Sequence, residues 1–306
     1  MHIRQGPSAL LVVGMMAGAS ILAGAQTGRD VRTIYAIAID QRGAHVPDLT
    51  AEDLIVTEGG RVCEILRVEP SRSRLKVALA VDESLTPDNL VRQALAGFVD
   101  QVHQHGDIAL YVIGRRNERR VDYTNDIMPF VRAINAFPIK AVNEANLVES
   151  LQEIAQEQRA HEGRRVIVTL ATEISQFSSV TAEGVLEQLR AGRTVFYAAT
   201  LAGFEIAAQP LDATSGGRRL ALENQVAGLE RDRLFSDGTR QSGGLHLSLV
   251  QVGAFPAALT RIAGELRHQY AVSYVVPAGS KPDGRVSIVT RRDGVTVRGP
   301  NRVPAR

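Results

Sequence analysis

The sequence predicts an α/β fold: a doubly wound, mostly parallel sheet inserted in a small all-β domain formed by the N- and C-terminal segments. Two observations predict it. Between residues 75 and 269, short continuous apolar runs alternate with segments of helical period, the pattern of strands buried on both faces between layers of helix. On either side of that region the chain carries β-type runs and glycine-rich turn signals instead.

The N-terminus reads as an export signal. His2 and Arg4 precede a small and apolar run from Ser8 to Gly24, which closes on Ala23-Gly24-Ala25, an A-x-A-like cleavage site. Residues 1–25 are therefore taken as a signal peptide. The competing reading is an uncleaved anchor, since the run is close to the length that spans a membrane. Both readings put the remaining chain outside the cytoplasm, in the periplasm or beyond the cell.

Residues 26–74 form the N-terminal β segment. Thr33–Asp40 reads as a strand ending at the turn Gln41-Arg42-Gly43, and the Thr50/Asp53 pair predicts one helical turn. Leu54–Val68 reads as a hairpin, with Gly59-Gly60 supplying positive φ at its tip. The character changes at Lys76. Lys76–Val81 is a buried parallel strand, followed by a helix from Pro87, a strand at Asp107–Gly114 and an antiparallel partner at Arg119–Tyr123. Helices are predicted from Asn125 to about Ala136, from Ala145 through Ala155 and from Thr181 to Leu189, with strands at Arg165–Ala171 and Thr194–Leu201. Residues 202–244 hold Pro210, Ser215-Gly216-Gly217, Asp237-Gly238 and Ser242-Gly243-Gly244, and read as one long loop. A helix over Pro256–His268 completes the α/β region at 269. The segment 270–306 then returns to strands at Tyr270–Val276, Arg285–Thr290 and Val295–Val297, which are expected to pair with residues 26–74.

Composition narrows the function classes. The 306 residues are 44% apolar and carry a formal charge of +2, and Arg4 is the one charged residue of the first 25. A surface so nearly neutral has no global field for nucleic acid or anionic lipid. After signal cleavage no stable membrane span is expected. The single cysteine, Cys63, has no internal disulfide partner and sits in a strand-like context, which suits a buried thiol; an exposed thiol pairing between chains is the alternative.

One loop could carry chemistry. Asp82-Glu83-Ser84-Leu85-Thr86 directly follows the first buried strand, and ligands of open α/β sheets bind at the carboxyl ends of the strands. One carboxylate and two hydroxyls at alternate positions offer three oxygens to a hard cation such as Mg²⁺. The competing reading is a turn that caps the helix beginning near Pro87.

The order of buried strand, Asp-x-Ser-x-Thr, helix, hairpin, helix and strand resembles the von Willebrand factor A domain. More closely, the chain resembles the A-domain-related proteins exported by environmental bacteria. The resemblance rests on Asp40-x-x-Gly43-x-x-Val46-x-Asp48-Leu49-Thr50-x-Glu52-Asp53-Leu54, on Val81-Asp82-Glu83-Ser84, and on Leu266-Arg267-His268-Gln269-Tyr270-x-x-Ser273-Tyr274. It spans Val31 to Val297, and order and spacing carry it more than any single motif. The resemblance implies that Asp82, Ser84 and Thr86 begin a metal-ion-dependent adhesion site. It also implies that the site is degenerate. The position of the family's later Thr falls on Ala145 and that of its second Asp on Thr172, with Glu173 one residue beyond as a substitute carboxylate. The function implied is a protein-binding or adhesion module, with Mg²⁺ as the one candidate cofactor and an acidic side chain of a protein partner as its contact. A structural scaffold of the cell envelope is the alternative.

Enzyme signatures are missing from the sequence: there is no G-x-S-x-G elbow, P-loop, C-x-x-C or H-E-x-x-H. His103 and His105, two apart near a helix end, point to different sides and read as solvent-facing. Arg115, Arg116, Arg119 and Arg120 read as a solvated hairpin tip, and Tyr270 and Tyr274 as packing residues. A non-enzymatic binding protein is the expectation, with an unrecognised hydrolase a remote alternative. Signal cleavage after Ala25 makes Gln26 the mature N-terminus, and N-terminal sequencing of the exported chain checks it; retention of Met1–Ala25 would establish the anchor instead.

Overall fold

The structure, a computed structural model, describes residues 30–138, 146–172, 180–202, 215–281 and 283–305, with no account of the side chains of 215–224. The export signal, Ala145 and Glu173 lie outside the described residues. The chain begins with β1 (Val31–Asp40), β2 (Leu54–Glu58), β3 (Arg61–Val62) and β4 (Glu64–Pro70). The α/β region follows with β5 (Leu75–Asp82), α1 (Asn89–Val102), β6 (Gly106–Ile113), β7 (Asn117–Thr124), α2 (Met128–Asn135) and α3 (Leu147–Gln158). It continues through β8 (Arg164–Thr172), α4 (Ala182–Gly192), β9 (Val195–Leu201), α5 (Ser215–Ser242), β10 (His246–Leu249) and α6 (Phe255–Arg267). The last strands are β11 (Tyr270–Val275), β12 (Val286–Thr290) and β13 (Val295–Arg298). Among the described residues no helix is long and apolar enough to cross a membrane.

The central sheet runs β10-β9-β8-β5-β6-β7, and β7 is the antiparallel strand at its edge. In β5, side chains alternate between two cores, as the pleat requires. Val77, Leu79 and Val81 pack in one core with Val91, Leu95 and Phe98 of α1 and Leu259 and Ile262 of α6. Ala78 and Ala80 share the other with Leu151 and Ile154 of α3 and Val185 and Leu186 of α4. Helices therefore cover both faces, and every side chain of this strand from Val77 to Val81 is fully buried.

The terminal segments form two antiparallel sheets, β13-β1-β11-β4 and β12-β2-β3. Most of their pairs join the first part of the chain to the last: β1 with β11 and β13, β4 with β11, and β2 with β12. Their inner faces share one core of Ile34, Ala36, Val56, Cys63, Val272, Tyr274 and Ile288. Cys63 is buried there. Gly59 and Gly60, at φ +58 and +82, form the β2–β3 turn, where a side chain would be strained. Tyr270 and Tyr274 are packed and also hydrogen-bonded, to the Val46 carbonyl at 2.8 Å and to Glu58 at 2.7 Å. Glu58 is buried and pairs with Arg32 at 3.0 Å.

Two expectations need correcting. Residues 215–242 are a helix, so the stretch 202–244 is not one long loop; 203–214 lie outside the described residues. Among the described side chains of α5, the buried non-glycine residues are Ala227, Arg231, Leu234, Phe235 and Thr239, and only three of these are apolar. Gly238, which reads as a breaker, sits where an added Cβ would be 2.9 Å from the Phe196 ring, so the glycine lets α5 approach β9. The strand β10, unrecognised beforehand, pairs in parallel with β9. The second correction is smaller. Thr50 donates to Asp53 from both its N–H, at 2.8 Å, and its hydroxyl, at 2.9 Å, but the segment closes as a turn rather than a helix.

A polar seam joins the α/β body to the sandwich. Arg164 is buried on β8, and burial lowers its pKa to about 10. It donates to Gln269 Oε1 at 3.0 Å and lies 5.5 Å from the ring of Tyr35 on β1. Gln269 in turn donates to the Tyr197 hydroxyl at 3.2 Å. Burial and the neighbouring Glu265 push the Tyr197 phenol up. Glu265, 2% exposed on α6, is ion-paired to Arg298 of β13, with Arg261 3.7 Å away. Removing one member of such a pair strands a buried charge, which costs about 3–5 kcal/mol. The side chain of Arg298 is 27% exposed, so Arg298→Met is expected to cost about 3 kcal/mol, the low end of that range. Urea unfolding checks this, and adding Glu265→Gln is expected to recover most of the loss.

Candidate functional site

β5 lies between β6 and β8 in parallel register, so its last residue opens at the carboxyl edge near the middle of the sheet. That residue is Asp82. Its extended backbone (φ −61, ψ 127) turns the chain into a 3₁₀ turn over Glu83–Leu85, and its carboxylate caps that turn. The helix that follows has its own cap: Asp88 accepts from the Leu90 N–H at 2.7 Å, and α1 starts at Asn89. Asp82 therefore caps the short turn and not the helix near Pro87.

Asp82 is 4% exposed, and both carboxylate oxygens are engaged. Oδ1 accepts from the Ser84 N–H at 2.9 Å and the Ser84 hydroxyl at 2.7 Å. Oδ2 accepts from the Thr172 N–H at 3.3 Å and the Thr172 hydroxyl at 3.0 Å. Four donors on one carboxylate offset the several kcal/mol that burying an unpaired charge would cost. The structure thus brings Asp82, Ser84 and Thr172 together across two adjacent strands. Thr86 stands apart: it is fully buried and its hydroxyl donates to the Glu83 carbonyl at 2.8 Å. Glu173 and Ala145 lie outside the described residues.

Sequence reasoning missed Arg92, one turn into α1. Its Nε donates to the Thr86 carbonyl at 3.0 Å, and one Nη donates to the carbonyls of Phe137 and Pro138 at 3.1 and 3.2 Å. It clamps the Asp82–Thr86 loop to the end of α2. An arginine on the half-buried side of a helix was the one available signal. The solvent side of the loop is half-exposed at Glu83 and Ser84. An open depression lined by Glu83, Gly114, Arg115, Arg116 and Glu118 adjoins it. Of the hairpin-tip arginines, Arg119 pairs with Glu157 and Asp122, and Arg120 with Glu118. His103 is half-exposed and His105 exposed. Burial, then the nearby Arg267, lowers the pKa of His105.

The strand order, with β7 alone antiparallel in that sheet and Asp-x-Ser-x-Thr at the carboxyl end of β5, decides the fold. The chain carries a von Willebrand factor A-like domain. No sequence-family model matches the chain, and no curated protein matches it. Solved structures do. BatB from Bacteroides thetaiotaomicron is similar over 63% of this chain and 99% of its own, at 15% identity and TM-score 0.43. A von Willebrand factor type A protein from Catenulispora acidiphila covers 91% of this chain and 75% of its own, at 8% identity and TM-score 0.44. Proximal thread matrix protein 1 from the mussel byssus, whose adhesion-site motif holds zinc, covers 67% and 48%, at 11% identity and TM-score 0.45. At these scores, what identifies the A-like domain is its own strand order.

Within the A-like domain the Asp82 cluster is a stabilising element. Asp82→Ala deprives the buried Thr172 hydroxyl and N–H of their acceptor, while half-exposed Ser84 turns to water. A loss of about 2 kcal/mol is expected in urea unfolding, against about 1 kcal/mol for Thr172→Val. The double variant is expected to cost less than the sum.

Proposed function

We propose that this chain is an exported protein-binding module whose A-like domain captures its partner at the carboxyl edge of the parallel sheet. The observation that carries the reading is that Asp82, Ser84 and Thr172 lock the edge loop into one conformation, leaving Glu83 and Ser84 half-exposed above it. Exposed apolar residues lie at the same end. Val250, 86% exposed, follows β10, and Leu90 opens α1 beside Gly253. A rigid polar loop with apolar neighbours fits a protein surface better than a small substrate.

Capture in this reading needs no divalent ion. The site is a degenerate form of the adhesion motif, and its donors as hydrogen-bonded do not fit a resident Mg²⁺. Both Asp82 oxygens are committed, and the buried Thr86 hydroxyl is turned to a carbonyl. Mg²⁺ demands near-octahedral oxygens at about 2.0–2.1 Å. Where the second carboxylate of the motif would stand, Thr172 supplies a donor.

The second reading is an envelope scaffold that docks through the sandwich, favoured by the exposure of Val62 and Leu66 on β3 and β4. One experiment separates the two. The mature chain is immobilised and exposed to the extracytoplasmic fraction of its own cells, with Ser84→Arg and Val62→Asp variants alongside. The capture reading expects a partner that survives chelator and Val62→Asp and drops at least tenfold with Ser84→Arg. Loss with Val62→Asp alone establishes the scaffold. Loss in chelator shows that a cation is required.

A further inference from the structure

The opposite edge of the parallel sheet holds a second site. A cavity of ≈ 250 Å³ lies between the two bodies, lined by β1, by the amino ends of β8 and β9, by α4 and α5, and by the tail at Pro300–Pro304. It is about 20 Å along β9 from the carboxyl edge, since the strand rises about 3.3 Å per residue. Its position is unusual for a ligand site in a parallel α/β sheet, where the carboxyl edge is the rule.

Five arginines line it, Arg32, Arg165, Arg190, Arg193 and Arg302, and among the described residues the lining includes no Asp or Glu. Two are balanced from outside: Arg32 by Glu58 and Arg190 by Glu183. The other three have no carboxylate partner among the described residues. Arg165 spends one Nη on the carbonyls of Arg159 and His161, at 3.3 and 2.9 Å, and its buried Nε has no hydrogen-bond partner among the described residues. Arg302 donates to the Asp283 carbonyl at 3.1 Å. Arg193 stands at φ +49, the one non-glycine residue with positive φ among those described. Thr194, 1% exposed, also lines the cavity, and its hydroxyl has no partner among the described residues. Apart from Thr33, Gln241 and Ser242 the remaining wall is mostly apolar, with Ile34, Leu186, Leu189 and Val195 all buried.

We propose that this cavity binds a small amphipathic carboxylate, its apolar body against Leu186, Leu189 and Val195 and its carboxylate among Arg165, Arg193 and Arg302. Three guanidinium groups without a carboxylate partner among the described residues, one of them the exposed Arg193, line one cavity and offer an anion its counter-charge. The planar guanidinium fork suits a carboxylate, and the Thr194 hydroxyl supplies a further donor. An apolar lining with a few converging polar groups is the general form of a small-molecule site, and this volume is near the lower end of about 300–1,000 Å³. The ligand touches both bodies at once, so its binding also ties the sandwich to the A-like domain.

Calorimetric titration of the mature chain with straight-chain carboxylates from acetate to dodecanoate, and with 2-naphthoate, tests the proposal. Medium-chain or aryl carboxylates are expected to bind, at least tenfold tighter than acetate, inorganic phosphate or the matching alcohols. Added salt is expected to weaken them. Arg193→Gly is the decisive variant. Glycine suits φ +49, so the thermal midpoint should hold or rise while affinity falls at least tenfold. Arg165→Gln is expected to weaken binding as well, and if loss of its two carbonyl contacts unfolds the chain, Arg193→Gly still decides. The proposal is overturned if no carboxylate of the series binds, if the alcohols bind equally well, or if Arg193→Gly leaves affinity unchanged.

Discussion

A buried carboxylate holds the two bodies of this protein in one arrangement. Glu265 sits in the last turn of α6, five residues before β11 begins, and its counter-charge Arg298 comes from β13 of the sandwich. Burial makes the pair costly to leave incomplete, so the bodies must meet where both charges are satisfied. The neighbouring Tyr197–Gln269–Arg164 chain and the stacked His45 and His268 rings, 4.3 Å apart, lie along the same contact. Both edges of the parallel sheet take their surroundings from this fit. The carboxyl edge faces away from the sandwich, and the amino edge is closed over by β1 and the tail.

At the carboxyl edge a hydroxyl stands where the adhesion motif has its second acid. A second carboxylate near Asp82 would demand a cation, because two like charges at that spacing repel. A threonine donates to Asp82 instead, so among the described residues hydrogen bonds settle the loop. In the proposed reading, this exchange leaves a binding surface that forms without an ion. Arg92 completes the arrangement by fixing the loop from behind, through carbonyls and not through another acid.

The parallel strands were legible because burial on both faces leaves an apolar run, as in Val77–Val81 and Val195–Ala199, and most helices from their apolar period. The pairing of the chain ends was legible from the β-type runs and turn signals that flank the α/β region on both sides. The helix α5 was not, since its buried stripe includes Arg231 and Thr239 and its glycines look like breakers. The reason for Gly238 lies in its contact with Phe196, far away in sequence. The four-residue strand β10 is too short to announce itself beside a glycine pair. At the site, Asp82 and Ser84 could be placed by spacing. That Thr172 would bond to Asp82 from 90 positions away depends on strand register, which no local pattern encodes.

Pro70 and Tyr270 are register partners on neighbouring strands β4 and β11. The A-like domain thus leaves the sandwich and rejoins it at a single point, one strand spacing wide, about 4.7–4.9 Å. A force between the two bodies carried by the backbone would therefore enter the sandwich along two neighbouring strands, β4 and β11.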